Sequence, residues 1–415
     1  MNLIKTSLYT SVSQALSILA GLIAIKVISS KIGPGGIAMT GQFSNTTALL
    51  TLFASGAIGV GIVKYLAEFK DDKEMQFKVI RTAFWIIVTC SLIIGVSVIL
   101  ASDFFSIKAF KTNEYKLVYI FWGSFLIIST ISSLLNSILN GLKLIKYLTI
   151  INIATTIIGL IITILMAHFY GVIGVLISTN FTSLALLLLH FYFIKKYKWF
   201  SFRDLFKGFD KKVLRLFYGF ILMTLVSGIL IPAIQLIVRN KIIADSSFLD
   251  AGYWQSVTRI SDYYLGFVTS VLAIYYLPRL AEIDNKTELQ KEITNGYILI
   301  LPAVGIISLI IWVCRFPIIK ILLTEEFLPS ESLFGFQFLG DFFKIASWLL
   351  AYLMLARGLK ITFIISEILY SVIYVLLCFA FMKYYGVVGA VYGFCASYFL
   401  YLIAMYIILK KQRII

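Results

Sequence analysis

Six ionisable residues stand in stretches otherwise too apolar to carry charge: Lys26, Arg259, Asp262, Asp341, Lys344 and Glu367. A charge held in hydrocarbon is costly, so such groups pair, face a wet cavity or meet a charged ligand. Arg259 and Asp262 are three residues apart and share a helical face, as do Asp341 and Lys344. Each couple can neutralise itself locally or turn its groups toward a ligand. Lys26 has no acidic neighbour in its own helix. It must snorkel outward, meet an acid from elsewhere, or face water and an anionic ligand, and the cost of an unpaired ammonium in lipid favours the last. Asp262 and Asp341 are also candidates for titrating or binding a cation, either H+ or Na+. Glu367 is a weaker candidate for charge pairing.

Milder polarity runs beside these charges. One helix carries Gln42, Asn45, Thr46 and Thr47, another Ser129, Ser133, Asn136 and Asn140, a third Gln255, Ser256, Tyr263 and Tyr264. Such stripes glue helices together or line a hydrated cleft. Cationic groups in such a cleft suit an anionic or amphipathic substrate. Cys90, Cys314, Cys378 and Cys395 lie in apolar surroundings without C-x-x-C spacing, and His168 and His190 sit at helix ends. Neither set makes a metal site or a disulfide framework. There is no G-x-x-x-x-G-K-[ST] phosphate loop and no cofactor motif, so ATP hydrolysis by this chain is not expected.

The elements that must position these residues are membrane helices. The 415-residue chain is 60% hydrophobic and 13% charged, about half the charge usual for a soluble domain. Apolar runs long enough to span a bilayer recur throughout. Stretches such as TTIIGLIITILM (155–166) do not alternate as barrel strands do. About twelve transmembrane helices are expected, near 8–30, 39–66, 80–101, 117–138, 147–168, 172–194, 216–238, 251–278, 296–314, 333–356, 361–382 and 387–409. Lys5 and the apolar run after it could pass for a signal peptide, but no convincing cleavage site follows and the run is long enough to span.

The chain also repeats itself. AHFYGVIGVL (167–176) returns as MKYYGVVGAV (382–391), with Gly171 and Gly386 215 residues apart. Lys195–Lys196 returns as Lys410–Lys411, Leu66-Ala67-Glu68 as Leu280-Ala281-Glu282, and Gly141-Leu142-Lys143 as Gly358-Leu359-Lys360. Ordered echoes at one spacing mark a duplication. The halves are 1–205, a six-helix bundle with a basic linker, and 206–415, a second six-helix bundle. An even number of helices per half gives both copies one membrane orientation. Lys and Arg concentrate on one side if both termini are cytoplasmic, as the positive-inside rule asks. The densest cluster, Lys195, Lys196, Lys198, Arg203, Lys207, Lys211, Lys212 and Arg215, joins the halves and suits anionic lipid head groups. The net charge of +16 is explained by the membrane, so no nucleic-acid partner is expected.

Several stretches together resemble the Wzx-type flippases of the multidrug/oligosaccharidyl-lipid/polysaccharide (MOP) exporter superfamily. They are Gly35-Gly36, Gly41-Gln42-Phe43-Ser44-Asn45, Val63-Lys64-Tyr65-Leu66-Ala67-Glu68-Phe69, Trp254-Gln255-Ser256-Val257, Ile260-Ser261-Asp262, Tyr276-Leu277-Pro278 and Gly340-Asp341-Phe342-Phe343-Lys344. The resemblance spans the chain and is strongest to the branch serving enterobacterial common antigen and O-antigen. It implies an all-α fold of two bundles around a V-shaped central cavity, in the bacterial inner membrane. It implies transfer of an undecaprenyl-pyrophosphate-linked oligosaccharide from the cytoplasmic to the periplasmic leaflet, where a glycan polymerase and ligase would use it. Lys26, Lys64, Asp262, Asp341 and Lys344 match the family pattern, whereas Arg259 falls where relatives can have a small polar residue. Substrate-binding candidates are therefore Lys26, Arg259, Lys64, Lys344, Gln42 and Asn45.

Two rivals stand beside this reading. A drug or metabolite antiporter of the same superfamily calls for acidic and aromatic cavities, and Lys26 and Arg259 point the other way. A membrane glycan polymerase needs catalytic groups on a substantial loop, and the longest outer loops expected, 102–116 and 315–332, are short. The chain is expected to be a transporter rather than an enzyme.

Overall fold

The computed structural model describes residues 3–194, 205, 208–283 and 285–412. Every regular element among them is helical. Of the basic cluster between the halves, Lys195, Lys196, Lys198, Arg203 and Lys207 lie outside the described residues, while Lys211, Lys212 and Arg215 open a helix.

The first copy begins with α1 (Leu3–Ala54), which bends at Gly33 just before Pro34 and so forms two legs. Proline has no N–H to continue the ladder, which places the break. Then follow α2 (Gly59–Glu68), α3 (Lys73–Leu100), the short α4 (Ser102–Phe110) and α5 (Lys116–Gly141). The last element, α6 (Ile145–Ile194), is again two legs, meeting at Gly171. The second copy runs α7 (Lys211–Asp245), α8 (Phe248–Val271), α9 (Leu277–Glu282), α10 (Lys286–Val313), α11 (Arg315–Leu322), α12 (Glu331–Ala356), α13 (Lys360–Tyr385) and α14 (Val388–Lys411). A π-helical turn, Leu272–Tyr276, joins α8 to α9, and a 3-10 turn, Glu325–Ser330, leads into α12.

The duplication is visible element by element. The two legs of α1 correspond to α7 and α8, α2 to α9, α3 to α10, α4 to α11, α5 to α12, and the two legs of α6 to α13 and α14. The repeated phrase adopts one backbone twice: Gly171 has φ 54° and ψ −132°, Gly386 φ 56° and ψ −140°. Only glycine enters that region without strain. The second glycine of each phrase permits close approach instead. A Cβ on Gly174 would overlap the Met166 carbonyl, and one on Gly389 would overlap the backbone of Phe381 and Met382. The first glycine therefore makes the turn and the second lets the returning helix pass.

Nine helices among the described residues are long and apolar enough to cross a membrane. Two of these, α1 and α6, each hold two legs. The 24-residue α8 completes the expected twelve, although its polar residues keep it out of that hydropathy class. Two expected helices are interrupted. The run 39–66 breaks after Ala54, where Gly56 and Ala57 take positive φ, and 251–278 passes through the π-helical turn. Large apolar side chains such as Leu92, Ile93 and Val96 on α3 and Ile157, Ile161 and Leu165 on α6 are exposed. That is the outer surface a bilayer requires.

Two compact units result, Met1–Ala20 with Met39–Ala233, and Gly21–Ala38 with Ile234–Ile415. The sequence repeat breaks elsewhere, at 205/206, so α1 and α7 contribute to both units. In the first, Leu66, Ile80, Ala83, Leu135, Ile138 and Phe217 form one buried cluster. Lipid tails are as apolar as these side chains, so close packing and satisfied polar groups must hold the helices together. The Gln76 amide donates to the Leu66 carbonyl at 3.0 Å, Tyr65 to that of Leu216 at 3.2 Å, and Trp85 to that of Leu205 at 3.1 Å. Asp210 accepts from the backbone of Lys212 at 2.8 Å, capping α7, and its own N–H reaches Thr82 Oγ1 at 3.2 Å. Desolvation opposes the Asp210 carboxylate. The N–H groups of Val213 and Lys212, with Lys78 and Arg81 nearby, outweigh it and hold the carboxyl below its ordinary range.

Candidate functional site

The second unit contains most of the charge singled out in the sequence. Its centre is Asp341 on α12, fully buried. Ser261 Oγ donates to its Oδ2 at 2.6 Å and Tyr264 Oη at 2.8 Å, while Gln337 Nε2 reaches Oδ1 at 3.3 Å. Ser261 and Tyr264 share the inner face of α8, and Gln337 precedes Asp341 by one turn of α12. Tyr264 Oη also lies 3.2 Å from Ser308 Oγ on α10. Three helices thus converge on one carboxylate whose partners are neutral donors. Burial without such donors would cost several kcal/mol.

Lys344 lies one turn further along α12. Its ammonium sits 5.3 Å from the Trp348 ring centroid and 5.9 Å from that of Tyr398. It acts electrostatically on both Asp262 and Asp341. Asp262 is exposed on α8, and Lys344 and Arg259 are the two cations that bear on it. Glu367 on α13 accepts from Tyr401 Oη at 2.6 Å. Asp262, Asp341, Lys344 and Arg259 therefore form one electrostatic group, with Glu367 bonded separately to α14.

Lys26 also belongs to this unit. Its Nζ donates to the carbonyl of Lys320 at 3.0 Å and to that of Leu323. These are terminal carbonyls of α11, where the helix leaves acceptors unsatisfied and the dipole is negative. The ammonium thus finds backbone partners rather than an acid. Lys64, Gln42 and Asn45 fall in the first unit. Lys64 lies 3.7 Å from Glu68 one turn on, and above the rings of Tyr65 and Phe220. Gln42 is buried on α1, and Asn45 is half-buried one turn later.

One buried cation was not anticipated. Arg239 on α7 is wholly buried; it donates to Gln255 Oε1 and stacks 5.5 Å from the Trp254 ring centroid. The sequence reading ends that helix at 238 and so leaves Arg239 in a loop. The usable signal is the apolar run on both sides of it.

The architecture is that of a polytopic helical membrane protein. It is similar to a structure described as the inward-facing conformation of a multidrug resistance MATE family transporter of the MOP superfamily, with a TM-score of 0.83 and 16% identity over 97% of this chain and 94% of that one. It is also similar to a MOP superfamily transporter from Pyrococcus furiosus whose binding pocket is described as having reverse polarity, with a TM-score of 0.73 and 15% identity over 100% and 96%. At these identities the likeness concerns the fold. The sequence goes further. Residues 3–284 match the model of the polysaccharide biosynthesis protein family, and the chain belongs to that family. It is 25% identical over 410 residues to the lipid III flippase of Escherichia coli strain K12, covering 97% of this chain and 96% of the relative, and equally so to that of Shigella flexneri.

Proposed function

We propose that the protein is a flippase for an undecaprenyl-pyrophosphate-linked oligosaccharide of the O-antigen type. It carries the head group from the cytoplasmic to the periplasmic leaflet of the bacterial inner membrane by alternating access. The observation that carries this reading is the full-length match to relatives named as lipid III flippases. The chain is a transporter and not an enzyme, so a polymerase and ligase would act on its product. The physical problem is the head group. Its lipid can remain in the bilayer, but sugars and pyrophosphate cannot pass through hydrocarbon unsolvated. Lys26 and Arg259 are proposed to contact the pyrophosphate, with Lys64, Lys344, Gln42 and Asn45 assisting binding. Charge-assisted bonds to phosphate oxygens are among the strongest available to them.

The test is flipping in vesicles by Lys26→Ala and Lys26→Arg variants at equal expression. Alanine should lose most transport and arginine retain part of it. Normal transport by Lys26→Ala would overturn the role. Because Lys26 also holds the end of α11, melting temperatures must accompany the rates; a phosphate role lowers transport beyond what lost stability explains.

Asp341, with Asp262 beside it, is proposed to couple transport to H+ or Na+. The buried carboxylate and its three donors support this. A drug antiporter is the second reading, favoured by the MATE-like fold. Drug sensitivity on deletion, with surface polysaccharide intact, would select it.

A further inference from the structure

The first unit contains a cavity of about 550 Å3 between the N-terminal leg of α1 and both legs of α6. That size lies within the roughly 300–1,000 Å3 usual for small-molecule sites. Its lining differs from everything described above. No lining residue is charged and none is aromatic; nearly all are serine, threonine, asparagine or glutamine.

The hydroxyls are already oriented. Ser17 donates to the Ser13 carbonyl at 2.9 Å, Thr179 to that of Leu176 at 3.2 Å, and Thr182 to that of Ser178 at 3.0 Å. A hydroxyl whose proton is committed to its own helix offers only lone pairs to a guest. Pairs across the cavity are long: Ser17 and Thr156 are 3.4 Å apart, as are Thr163 and Ser178. Thr155 Oγ1 is buried with no hydrogen-bond partner. Gln14 and Asn152 bring amide groups, which supply both donors and acceptors.

This chemistry suits neither a phosphate nor an organic cation: a phosphate would ask for cationic or N–H donors, and an organic cation for acids or ring faces. A ligand with many neutral O–H donors and ring or hydroxyl oxygens matches acceptors interleaved with a few amides. We infer that this cavity binds uncharged sugar rings of the transported head group, and so contributes to glycan selectivity. The inference rests on the flippase reading and deepens it, giving the sugars a binding surface of neutral hydroxyls and amides within the first unit.

The experiment uses the full chain in vesicles and two lipids, polyprenyl pyrophosphate carrying the host's complete oligosaccharide and the same lipid carrying one sugar. Periodate kept outside reports each glycan as it arrives. The wild type should move the complete unit faster. Thr156→Val with Thr182→Val, near-isosteric, and separately Asn152→Leu, should each narrow that preference by roughly tenfold, the loss expected for a couple of neutral hydrogen bonds. An unchanged preference in both variants would overturn the inference, as would equal wild-type rates for the two lipids, a comparison that needs no variant. Loss of gradient dependence with the sugar preference intact would assign the cavity to a cation and overturn it too. A wild type that moves neither lipid would instead bring down the flippase reading itself.

Discussion

At the scale of the residue, Asp341 shows how a carboxylate persists inside a helical bundle. It is surrounded by donors that carry no charge, and these directed bonds add to the attraction of Lys344 one turn along α12. Ser261→Ala and Tyr264→Phe should each lower stability by about 1.5–3 kcal/mol, the range for hydrogen bonds to charged groups. The double variant should cost more than the sum, because both bonds end on one oxygen and either donor alone still satisfies it. Detergent melting of the four proteins checks this, and strict additivity would argue that the donors act independently. The charged residues were legible in the sequence because each interrupts an apolar run. Their partners were not: a 3.6-residue period shows which residues share a face but not which helix lies opposite, and so could not show Lys26 meeting the carbonyls that end α11.

At the scale of the element, the repeated phrase is the clearest case of sequence dictating geometry. Two glycines three apart fix a turn and the close return of the helix that follows, and they do so in both copies with nearly equal dihedrals. Gly171→Ala and Gly386→Ala meet open space at the new Cβ, so any loss is one of backbone conformation, about 1–3 kcal/mol. Gly174→Ala and Gly389→Ala meet backbone atoms instead and should lose more. Thermal unfolding of the four variants should rank them in that order. The repeated phrase and nearly all the spans could be read from the letters. The breaks in the second and eighth expected helices could not, since a hydropathy pattern continues through a break or a π-helical turn without changing period. The serines and threonines of the α1–α6 cavity were equally silent: in sequence they look like the residues that glue membrane helices.

At the scale of the whole molecule, an even number of crossings puts both ends of the chain on one side of the membrane. From the distribution of the basic residues we propose that this side is the cytoplasm. A reporter that fluoresces only in the cytoplasm should therefore be active when fused to either terminus; activity at one end alone would require an odd number of crossings. The exposed apolar belts of α3, α6 and α13 argue that solubility depends on detergent or lipid around the bundle. A third expectation concerns energy. Collapsing proton and sodium gradients in transporting vesicles should stop net movement if Asp341 couples it, and Asp341→Asn should behave as the uncoupled wild type does.

The doubled backbone has a consequence for how such a machine can evolve. Two separate copies of a half-length chain would have to display the same side chains on both, whatever either surface needed. Joining the copies removes that symmetry. One half could keep its ions while the other replaced them with alcohols, and a cell altering its coat sugars would then need to rewrite only the half that reads them.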